Sequence, residues 1–584
     1  MKKEAILHIP LSHYAYSVSD EEVVFRIRTA KDDMKCVTLY YGDRCCRTTP
    51  TEFFPVVMEK VAFSSLFDYY SVTVKSPYKR IEYYFALCDN AGQTLFYYGD
   101  QFEKETTEVR TEYYQFDYNQ ACDRAVVPDW VQDSIVYNIF PDSFATARRS
   151  ISGRGETLVV DGREHMGKRG GTIIGIRENL DYIANLGFNT IYLNPIFSAG
   201  EYHKYDLIDY FHVDPVFGTD EDFRLLVQEA HARGLRVIID GVFNHIGYKS
   251  DIFRDVVKYG RKSKYWDWFN HLKEPVVIPE SGDEIPSYEC FAYEKKMPKL
   301  NQNNPDCANY FLSVGAYWVE KYDIDGWRLD VACEVCDDFW RRFRKTVKSI
   351  KPSCVLIGEV WETASHWLSG DMFDSTMNYD MRRYCERFFA SRNINAQQFN
   401  DRVTEMLMRY RTPITHAQLN LLDSHDASRF LTLCGGRRDW YELAIAFLFT
   451  FPGATCVFYG DEKGCEGLLE DEFRLSMPWE REDDELSGLF KELAALRASQ
   501  PALRRGSFKA DAIVNEDVYS FVRELDGAEF AGSGGAGRAG AGGERIRVVL
   551  NRGADRIPRP EGKILLSRRV EGDEILPNGF VICK

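Results

Sequence analysis

Charged and imidazole side chains follow four short apolar runs of the sequence, in the segments DGVFNH, GWRLDVACE, GEVW and LLDSHD. The side chains concerned are Asp240, His245, Arg328, Asp330, Glu359, His425 and Asp426. Paired carboxyl groups can cleave a glycosidic bond with retention, when one attacks the anomeric carbon and the other, protonated, serves the leaving oxygen. Such a pair must be held at about 5 to 5.5 Å.

The elements that would position these groups alternate between short apolar runs and stretches of helical period, a pattern that is typical of repeated βα units. Helical stretches such as 176–187, 221–234 and 337–350 lie between most of the apolar runs. The eight predicted strands are 134–141, 190–196, 235–243, 326–332, 354–360, 375–379, 417–423 and 454–460. Eight such units predict a closed (β/α)8 TIM barrel.

In such a barrel the active site lies at the carboxyl ends of the strands. Asp330 and Glu359 occupy equivalent ends of the neighbouring strands 4 and 5. The sequence therefore predicts that these two carboxyl groups form the reactive pair. A single Asp after a strand, such as Asp240, could equally be a helix N-cap. Its assignment to the site depends on the other charged strand ends, which converge on the same rim.

We predict three domains in an α/β chain. Residues 1–125 form an N-terminal β-sandwich, 126–504 the barrel, and 505–584 a C-terminal β-sandwich. The connection after strand 3 is too long for a plain crossover and predicts an inserted domain at about 246–304. The Gly/Ala-rich stretch 531–543 is expected to be a loop without function.

Composition limits the function classes. The net charge of −16 disfavours nucleic acid and anionic membrane surfaces as partners but carries no cost for a neutral sugar. Fifteen Cys residues, including the adjacent Cys45 and Cys46, do not fit a disulfide framework and indicate a reducing compartment. With no signal-like or membrane-spanning run visible, we expect a cytoplasmic protein.

The four segments resemble, in order and in strand position, the barrel motifs of the α-amylase family, over about 130–500. MPKLN (297–301), HKYDLIDY (203–210) and the N-terminal sandwich resemble the neopullulanase, cyclomaltodextrinase and maltogenic amylase group. This resemblance implies hydrolysis of α-1,4 bonds, with some α-1,6 cleavage and transglycosylation, in cyclodextrins, maltooligosaccharides, pullulan or starch.

The resemblance also implies roles. Asp330 would be the nucleophile, Glu359 the general acid/base, and Asp426 the third carboxylate, which grips sugar hydroxyls. Arg328 would hold Asp330 ionised, and a dry environment beside Trp361 would keep Glu359 protonated.

Further positions match substrate-binding residues of the family. His245 and His425 would hydrogen bond the sugar that precedes the cleaved bond, and His203 with Tyr205 would form a stacking wall. His203 could instead be a surface residue. Asp206 and Asp240 look like supporting residues.

Two departures from the group pattern concern the acceptor side: Cys333 stands where Asn is usual, and Ala427-Ser428 where Thr-Glu is common. Glu334, beside Cys333, is expected to influence the balance of hydrolysis and transfer.

No cofactor or metal is expected. Asn244 matches a position that sometimes binds calcium, but the loop 144–157 has none of the Asn and Asp that form a second calcium site in the group. The lone CxxC of Cys333 and Cys336 lacks a second ligand pair.

The N-terminal sandwich resembles a starch-binding module, although the group commonly uses it for dimerisation, and we expect a homodimer. Two alternatives remain open: an exo-acting α-glucosidase or oligo-1,6-glucosidase on the same barrel, and a non-catalytic sugar-binding relative.

Overall fold

The computed structural model describes residues 1–147, 157–160, 162–280, 284–481, 484–526 and 543–584. All but the last residue of the predicted Gly/Ala-rich loop 531–543, and residues 148–156 of the loop 144–157, lie outside the described residues. The chain divides into two compact units. One comprises Met1–Val126, Arg392–His416 and Pro501–Lys584, and the other Val127–Ser391 and Ala417–Gln500.

Eight parallel strands close a barrel in the second unit, which confirms the predicted TIM barrel. Each strand is buried over nearly its whole length, and for this reason the runs are almost continuously apolar instead of alternating. The strands, in chain and barrel order, are Ile135–Ile139, Thr190–Leu193, Arg236–Gly241, Gly326–Leu329, Val355–Gly358, Ser375–Asn378, Leu419–Asn420 and Ala454–Phe458.

The register of the barrel fixes where the polar strand ends lie. Asp240 is the Cα partner of Arg328 across strands 3 and 4. The backbone N–H of Asp330 donates to Gly241 O at 3.0 Å, and that of Glu359 donates to Leu329 O at 2.9 Å. Asp330 and Glu359 therefore continue the ladder one step beyond the strands, as predicted.

Helices surround these strands, and the three helical stretches predicted from periodicity are confirmed. Thr219 and Asp222 form a reciprocal capping box that begins the helix Asp220–Ala232. The described α-helices of this unit are Pro141–Phe144, Ile173–Glu178, Leu180–Asn185, Asp220–Ala232, Asp251–Tyr259, Pro305–Tyr322, Asp337–Ile350, Tyr379–Cys385, Phe430–Leu433, Arg438–Thr450, Glu470–Phe473 and Asp484–Ser499.

A hairpin of Thr157–Val160 and Arg163–Met166 follows the first barrel strand. The long connection after strand 3 contains one α-helix, Asp251–Tyr259, which packs Phe253 edge-on against Phe269 and Tyr288. Isolated bridges join this connection to the barrel rim, among them His245 to Lys299. The MPKLN segment is thereby held beside the end of strand 3.

The first unit contains an N-terminal and a C-terminal sheet domain, in the places where the sequence predicted two β-sandwiches. The N-terminal sandwich packs a four-stranded sheet, in the order Ala15–Ser17, Glu22–Ala30, Phe67–Lys75, Glu59–Phe63, on a second sheet through a shared apolar core. The second sheet has the order Phe54–Val57, Met34–Asp43, Ile81–Asp89, Thr94–Tyr98, Gln101–Glu103, and Tyr114–Phe116 also pairs with Ile81–Asp89.

The C-terminal strands hydrogen bond into one antiparallel sheet. Its order is Ser507–Ala510, Val518–Leu525, Glu544–Asn551, Glu574–Cys583, Ile557–Pro558, and Ile564–Glu571 also pairs with Glu574–Cys583.

The described α-helices of this first unit are Ala396–Met408, Thr412–Thr415 and Pro501–Arg505. Asn400 and Thr404 of the first of them donate hydrogen bonds to Phe63 O at 2.8 and 2.7 Å. The compact unit thus includes a helix that lies in sequence between barrel strands 6 and 7. Among the described residues no helix is both long and apolar enough to cross a membrane.

A buried arginine fixes the start of barrel strand 8. Arg497 is completely buried and donates to Phe449 O at 2.9 Å, to Phe451 O at 3.1 Å and to Gly453 O. These carbonyls lie at the end of helix Arg438–Thr450 and immediately before the strand, where no ladder can satisfy them.

We therefore expect Arg497→Met to lower the free energy of unfolding of the barrel unit by roughly 3 kcal/mol or more, because several buried carbonyls lose their donors. All ten Trp residues lie in this unit, so tryptophan fluorescence during urea unfolding isolates its transition. Lys491→Met, an exposed substitution on the same helix, is the control and should leave the midpoint unchanged. Equal midpoints for the two variants would contradict this account of Arg497.

Candidate active site

The guanidinium of Arg328 is the centre of the site. It is completely buried, and Nη1 donates to Asp330 Oδ1 at 2.7 Å and to Asp240 Oδ1 at 2.9 Å. Nη2 lies 2.8 Å from Glu359 Oε1 and 3.7 Å from Asp426 Oδ2. One cation therefore contacts all four carboxylates that were predicted from the strand ends.

The geometry at Nη2 differs from that at Nη1. Its contact with Glu359 is an ion pair whose angles do not meet those of a hydrogen bond, so Nη2 has no aligned acceptor among the described residues. A buried N–H without an acceptor is costly. The arrangement leaves a donor available at the position where the carboxyl groups converge.

Asp240 is fully occupied by protein donors. Besides Arg328, its Oδ2 accepts from Tyr192 Oη at 2.8 Å and from Tyr205 Oη at 2.9 Å. A completely buried carboxylate with this many donors has little capacity left for a ligand. Asp240 thus holds Arg328 and Tyr205 in place.

Asp330 and Glu359 lie together on the guanidinium of Arg328, as predicted. Burial, with the carboxylates of Glu359, Asp240 and Asp426, raises the pKa of Asp330 well above its usual range, although Arg328 opposes this shift. The expectation that Arg328 holds Asp330 ionised stays a prediction, because burial and the neighbouring carboxylates oppose the attraction of the guanidinium.

Glu359 is oriented by two donors. The backbone N–H of Val331 donates to Oε2 at 2.9 Å, and Trp361 Nε1 donates to Oε1 at 3.1 Å. Trp361 stacks on Tyr379 with ring centroids 3.6 Å apart and remains 42% exposed. The aromatic pair therefore forms one open wall beside the carboxyl group.

Asp426 is the most accessible of the carboxylates, with 27% of its side chain exposed. Burial alone would raise its pKa, but His425, Arg328 and Arg474 together lower it below its usual range. His425 Nε2 lies 2.8 Å from Asp426 Oδ2, and Arg474 Nη2 lies 3.2 Å from Oδ1. Asp426 is consequently an anion that faces the open part of the site.

The partners of His425 define its tautomer. Asn194 Nδ2 donates to His425 Nδ1 at 2.9 Å, so Nδ1 is the acceptor and Nε2 carries the proton. Nε2 in turn contacts Asp426 and the hydroxyl of Tyr205. His425 thereby links the end of strand 7 to the loop after strand 2.

The remaining predicted sugar-binding residues line this loop. His203 Nδ1 accepts from the backbone N–H of Tyr205 at 3.1 Å, and its ring lies beside the Tyr205 ring. His245 Nε2 lies 3.1 Å from Tyr205 O, and its ring stacks on Phe291. Burial lowers the pKa of both His203 and His245 to about 3, so both imidazoles are neutral at physiological pH.

Glu334 lies outside the Arg328 network. Its Oε2 accepts from Lys299 Nζ at 3.2 Å and from Asn244 Nδ2 at 3.4 Å. Lys299 also donates to Asn244 Oδ1 and, at 3.0 Å, to Glu334 O. The side-chain oxygens of Asn244 and Glu334 are thus directed at an ammonium group.

Within the part of the chain that the structure describes, no group of three or more His, Cys, Asp or Glu is arranged to hold a metal ion.

Several residues of the site were missed from the sequence. Tyr192, Asn194 and Tyr379 adjoin or belong to barrel strands, and a polar side chain within an apolar strand could have revealed them. Arg474 could not be found in this way, because it follows a short helix beyond strand 8. Besides Asp426, it donates to His425 O at 2.7 Å.

Family comparisons agree with this geometry. A model of the α-amylase catalytic domain matches residues 138–504, and a model of the α-amylase N-terminal Ig-like domain matches 1–120. The chain belongs to the α-amylase family. The resemblance noted in the sequence is thereby confirmed.

The chain is also similar to proteins that align with it over 90% or more of its length. A cyclomaltodextrinase of Geobacillus thermopakistaniensis (strain MAS1) is 40% identical and covers 100% of this chain and 97% of its own. An intracellular maltogenic amylase of Bacillus subtilis is 37% identical over 90% of each chain. A solved structure of a cyclomaltodextrinase superposes with a TM-score of 0.87 at 33% identity, covering 100% of both chains.

A buried carboxyl beside the site gives a prediction about pH. Asp206 Oδ1 accepts from Glu201 N at 2.9 Å, but Oδ2 is buried without a partner among the described residues. Burial raises the pKa of Asp206 to about 7. Since the folded state holds this proton and the unfolded state releases it near its ordinary pKa, stability falls as pH rises towards 7 and is then constant.

We expect Asp206→Asn to remove this dependence. Relative to wild type, the unfolding free energy of the variant should rise by roughly 2 kcal/mol between pH 5 and pH 7, because each pKa unit corresponds to about 1.4 kcal/mol. Urea unfolding followed by tryptophan fluorescence at several pH values measures the difference. Parallel stability curves for the two proteins would contradict the raised pKa.

Proposed function

We propose that this protein is a retaining endo-type hydrolase of α-1,4-glucosidic bonds in cyclodextrins, maltooligosaccharides, pullulan or starch, with some α-1,6 cleavage and transglycosylation. The observation that carries the proposal is the placement of Asp330 and Glu359 at equivalent ends of strands 4 and 5, on one buried guanidinium. The names of the relatives support the substrate class.

In the first step, an oxygen of Asp330 attacks the anomeric carbon and the bond to the leaving oxygen breaks. Glu359 donates its proton to that oxygen, which leaves as a hydroxyl group. The reaction requires that Asp330 be ionised and that the proton be on Glu359. The donors to Glu359 from Val331 and Trp361 fix its direction.

In the second step, Glu359 removes a proton from water, and the resulting oxygen displaces Asp330 from the anomeric carbon. Two inversions give net retention. A sugar hydroxyl that replaces this water gives transglycosylation. The ionised Asp426 and the imidazoles of His245 and His425 would hydrogen bond sugar hydroxyls, and His203 with Tyr205 would form the wall of that subsite.

Glu334 is proposed to act on the acceptor side. It is 45% exposed and is tied to Lys299, so it can reach a ligand without disturbing the buried carboxylates. We also propose that no calcium is required at Asn244, because the ammonium of Lys299 takes its side-chain oxygen.

We further propose a cytoplasmic homodimer. The fifteen free thiols and the intracellular Bacillus subtilis relative support the location. Exposed apolar side chains on the N-terminal sandwich, including Phe54, Val57 and Leu66, support a subunit contact there.

The carboxyl roles can be separated by azide rescue with α-maltosyl fluoride. Asp330→Gly and Glu359→Gly should each lose about 10³-fold or more in activity. Azide should restore turnover in both, with the β-glycosyl azide formed by Asp330→Gly and the α-glycosyl azide by Glu359→Gly, because only the second retains the covalent intermediate. NMR of the anomeric proton identifies the products.

Glu362→Gln is the matched control, since Glu362 is an exposed carboxyl three residues from Glu359. It should keep nearly full activity. The same azide anomer from both glycine variants, or full activity in either, would overturn the assignment.

The endo-type proposal is tested with β-cyclodextrin, a ring that offers no chain end to an exo-acting enzyme. Maltose and maltooligosaccharides are expected as products, separated by chromatography, and Glu359→Gln should form neither. No product from β-cyclodextrin, together with glucose as the sole product from starch, would favour the exo-acting α-glucosidase. Absence of any reducing ends from cyclodextrin, pullulan and starch would favour the non-catalytic relative.

A further inference from the structure

A second cavity of about 750 Å³ lies on the barrel unit, and none of the proposed catalytic residues lines it. It is bordered by the hairpin residues Arg163 and Glu164, by Tyr248 and Lys249, and by the helix Asp251–Tyr259. Cavities of this size accommodate small organic molecules. The proposed hydrolysis makes no use of this cavity.

Its lining is strongly cationic. Arg163, Lys249, Arg254 and Lys258 face one carboxylate, Glu164. Only Arg163 is neutralised directly, by an ion pair with Asp251. The other three cations form no ion pair with a carboxylate in the described parts of the chain.

This concentration of positive charge is unusual in a chain of net charge −16. Arg254 and Lys258 are one helical turn apart and therefore project from the same face of the helix. Three unpaired cations around one cavity repel one another, and an anion of two charges would relieve that repulsion. A neutral glucan would not.

The cavity also has an apolar side. Ile208, Val257 and Ile278 line it together with the ring of Tyr248. Lys249 Nζ lies 5.7 Å from the centroid of that ring, so the aromatic face and a cation are presented side by side. Aromatic faces and aliphatic groups are suited to the carbon skeleton of a sugar ring, and the cations to its charged substituent.

We propose that this cavity binds a soluble sugar phosphate, with the phosphate monoester held by Lys249, Arg254 and Lys258 and the sugar ring against Tyr248. The guanidinium fork of Arg254 can bind two phosphate oxygens at once, and the two ammonium groups add point charges. The site is independent of the proposed hydrolysis, because its ligand contacts none of the catalytic carboxylates.

Isothermal titration of the full chain with glucose 6-phosphate, inorganic phosphate and glucose tests the proposal. Glucose 6-phosphate should bind at least tenfold more tightly than glucose, which can enter only the active site. It should also bind more tightly than inorganic phosphate, because the apolar side contributes only to the sugar ester.

The variant Arg254→Gln/Lys258→Gln should weaken glucose 6-phosphate at least tenfold and leave the affinity for glucose unchanged. Lys345→Gln/Lys491→Gln removes the same charge from exposed helix positions and should change the affinity less than twofold. Cyclodextrin hydrolysis, measured in parallel, reports whether the variants are folded.

Three results would overturn the proposal. Glucose 6-phosphate that binds no more tightly than glucose would exclude a phosphate site. If both double variants lose the same affinity for glucose 6-phosphate, binding depends on the overall charge of the protein and not on this cavity. If inorganic phosphate binds as tightly as glucose 6-phosphate, the sugar ring contributes nothing to the affinity and the cavity is not a sugar phosphate site.

Discussion

The site depends on one buried cation among four carboxylates. Arg328 contacts Asp240, Asp330, Glu359 and Asp426, and it is itself completely buried. Desolvation of so many charges is expensive, and removal of one partner would leave the others uncompensated. The tyrosines and Asn194 that surround Asp240 reduce this cost by supplying donors to the carboxylate that faces the barrel interior.

The two catalytic carboxyl groups and the groups around Asp426 are held in place in different ways. Asp330 and Glu359 extend a hydrogen-bonded ladder, so their positions follow from strand register and not from loop conformation. Asp426 and His425 instead follow a strand of only two residues, and a second contact from Arg474 restrains them. Catalytic groups thus stand on the regular part of the barrel, while the groups proposed to hold hydroxyls are fixed by side-chain contacts from other segments.

Prediction from sequence succeeded where chemistry coincided with a regular element. Asp330 and Glu359 could be located because each ends an apolar run whose period identified a parallel strand. Arg474 could not be located, since neither its helix of four residues nor its neighbours show a period that indicates the barrel rim. The helix Ala396–Met408 and its hydrogen bonds to both sheet domains, through Phe63 and Tyr519, were not predicted from the sequence.

The charge states of the buried carboxyl groups were harder to predict from the sequence than their positions. The Arg328 to Asp330 contact follows from spacing along one strand, but the raised pKa of Asp330 depends on three further carboxylates brought from distant parts of the chain. Asp206 is similar: its neighbours in sequence do not reveal that one carboxyl oxygen is buried without a donor. Shifts in pKa of this kind can be derived only from the folded structure.

The contacts of Lys299 with Asn244 and Glu334 determine how the rim after strand 3 is stabilised. A dissociable ion stabilises its site only to the extent that its free concentration exceeds its dissociation constant. The ammonium that binds Asn244 and Glu334 is joined to the backbone and is present once in every molecule. The cation that joins Asn244 and Glu334 is therefore never lost by dissociation, although dissolved salt screens its contact with the half-exposed Glu334.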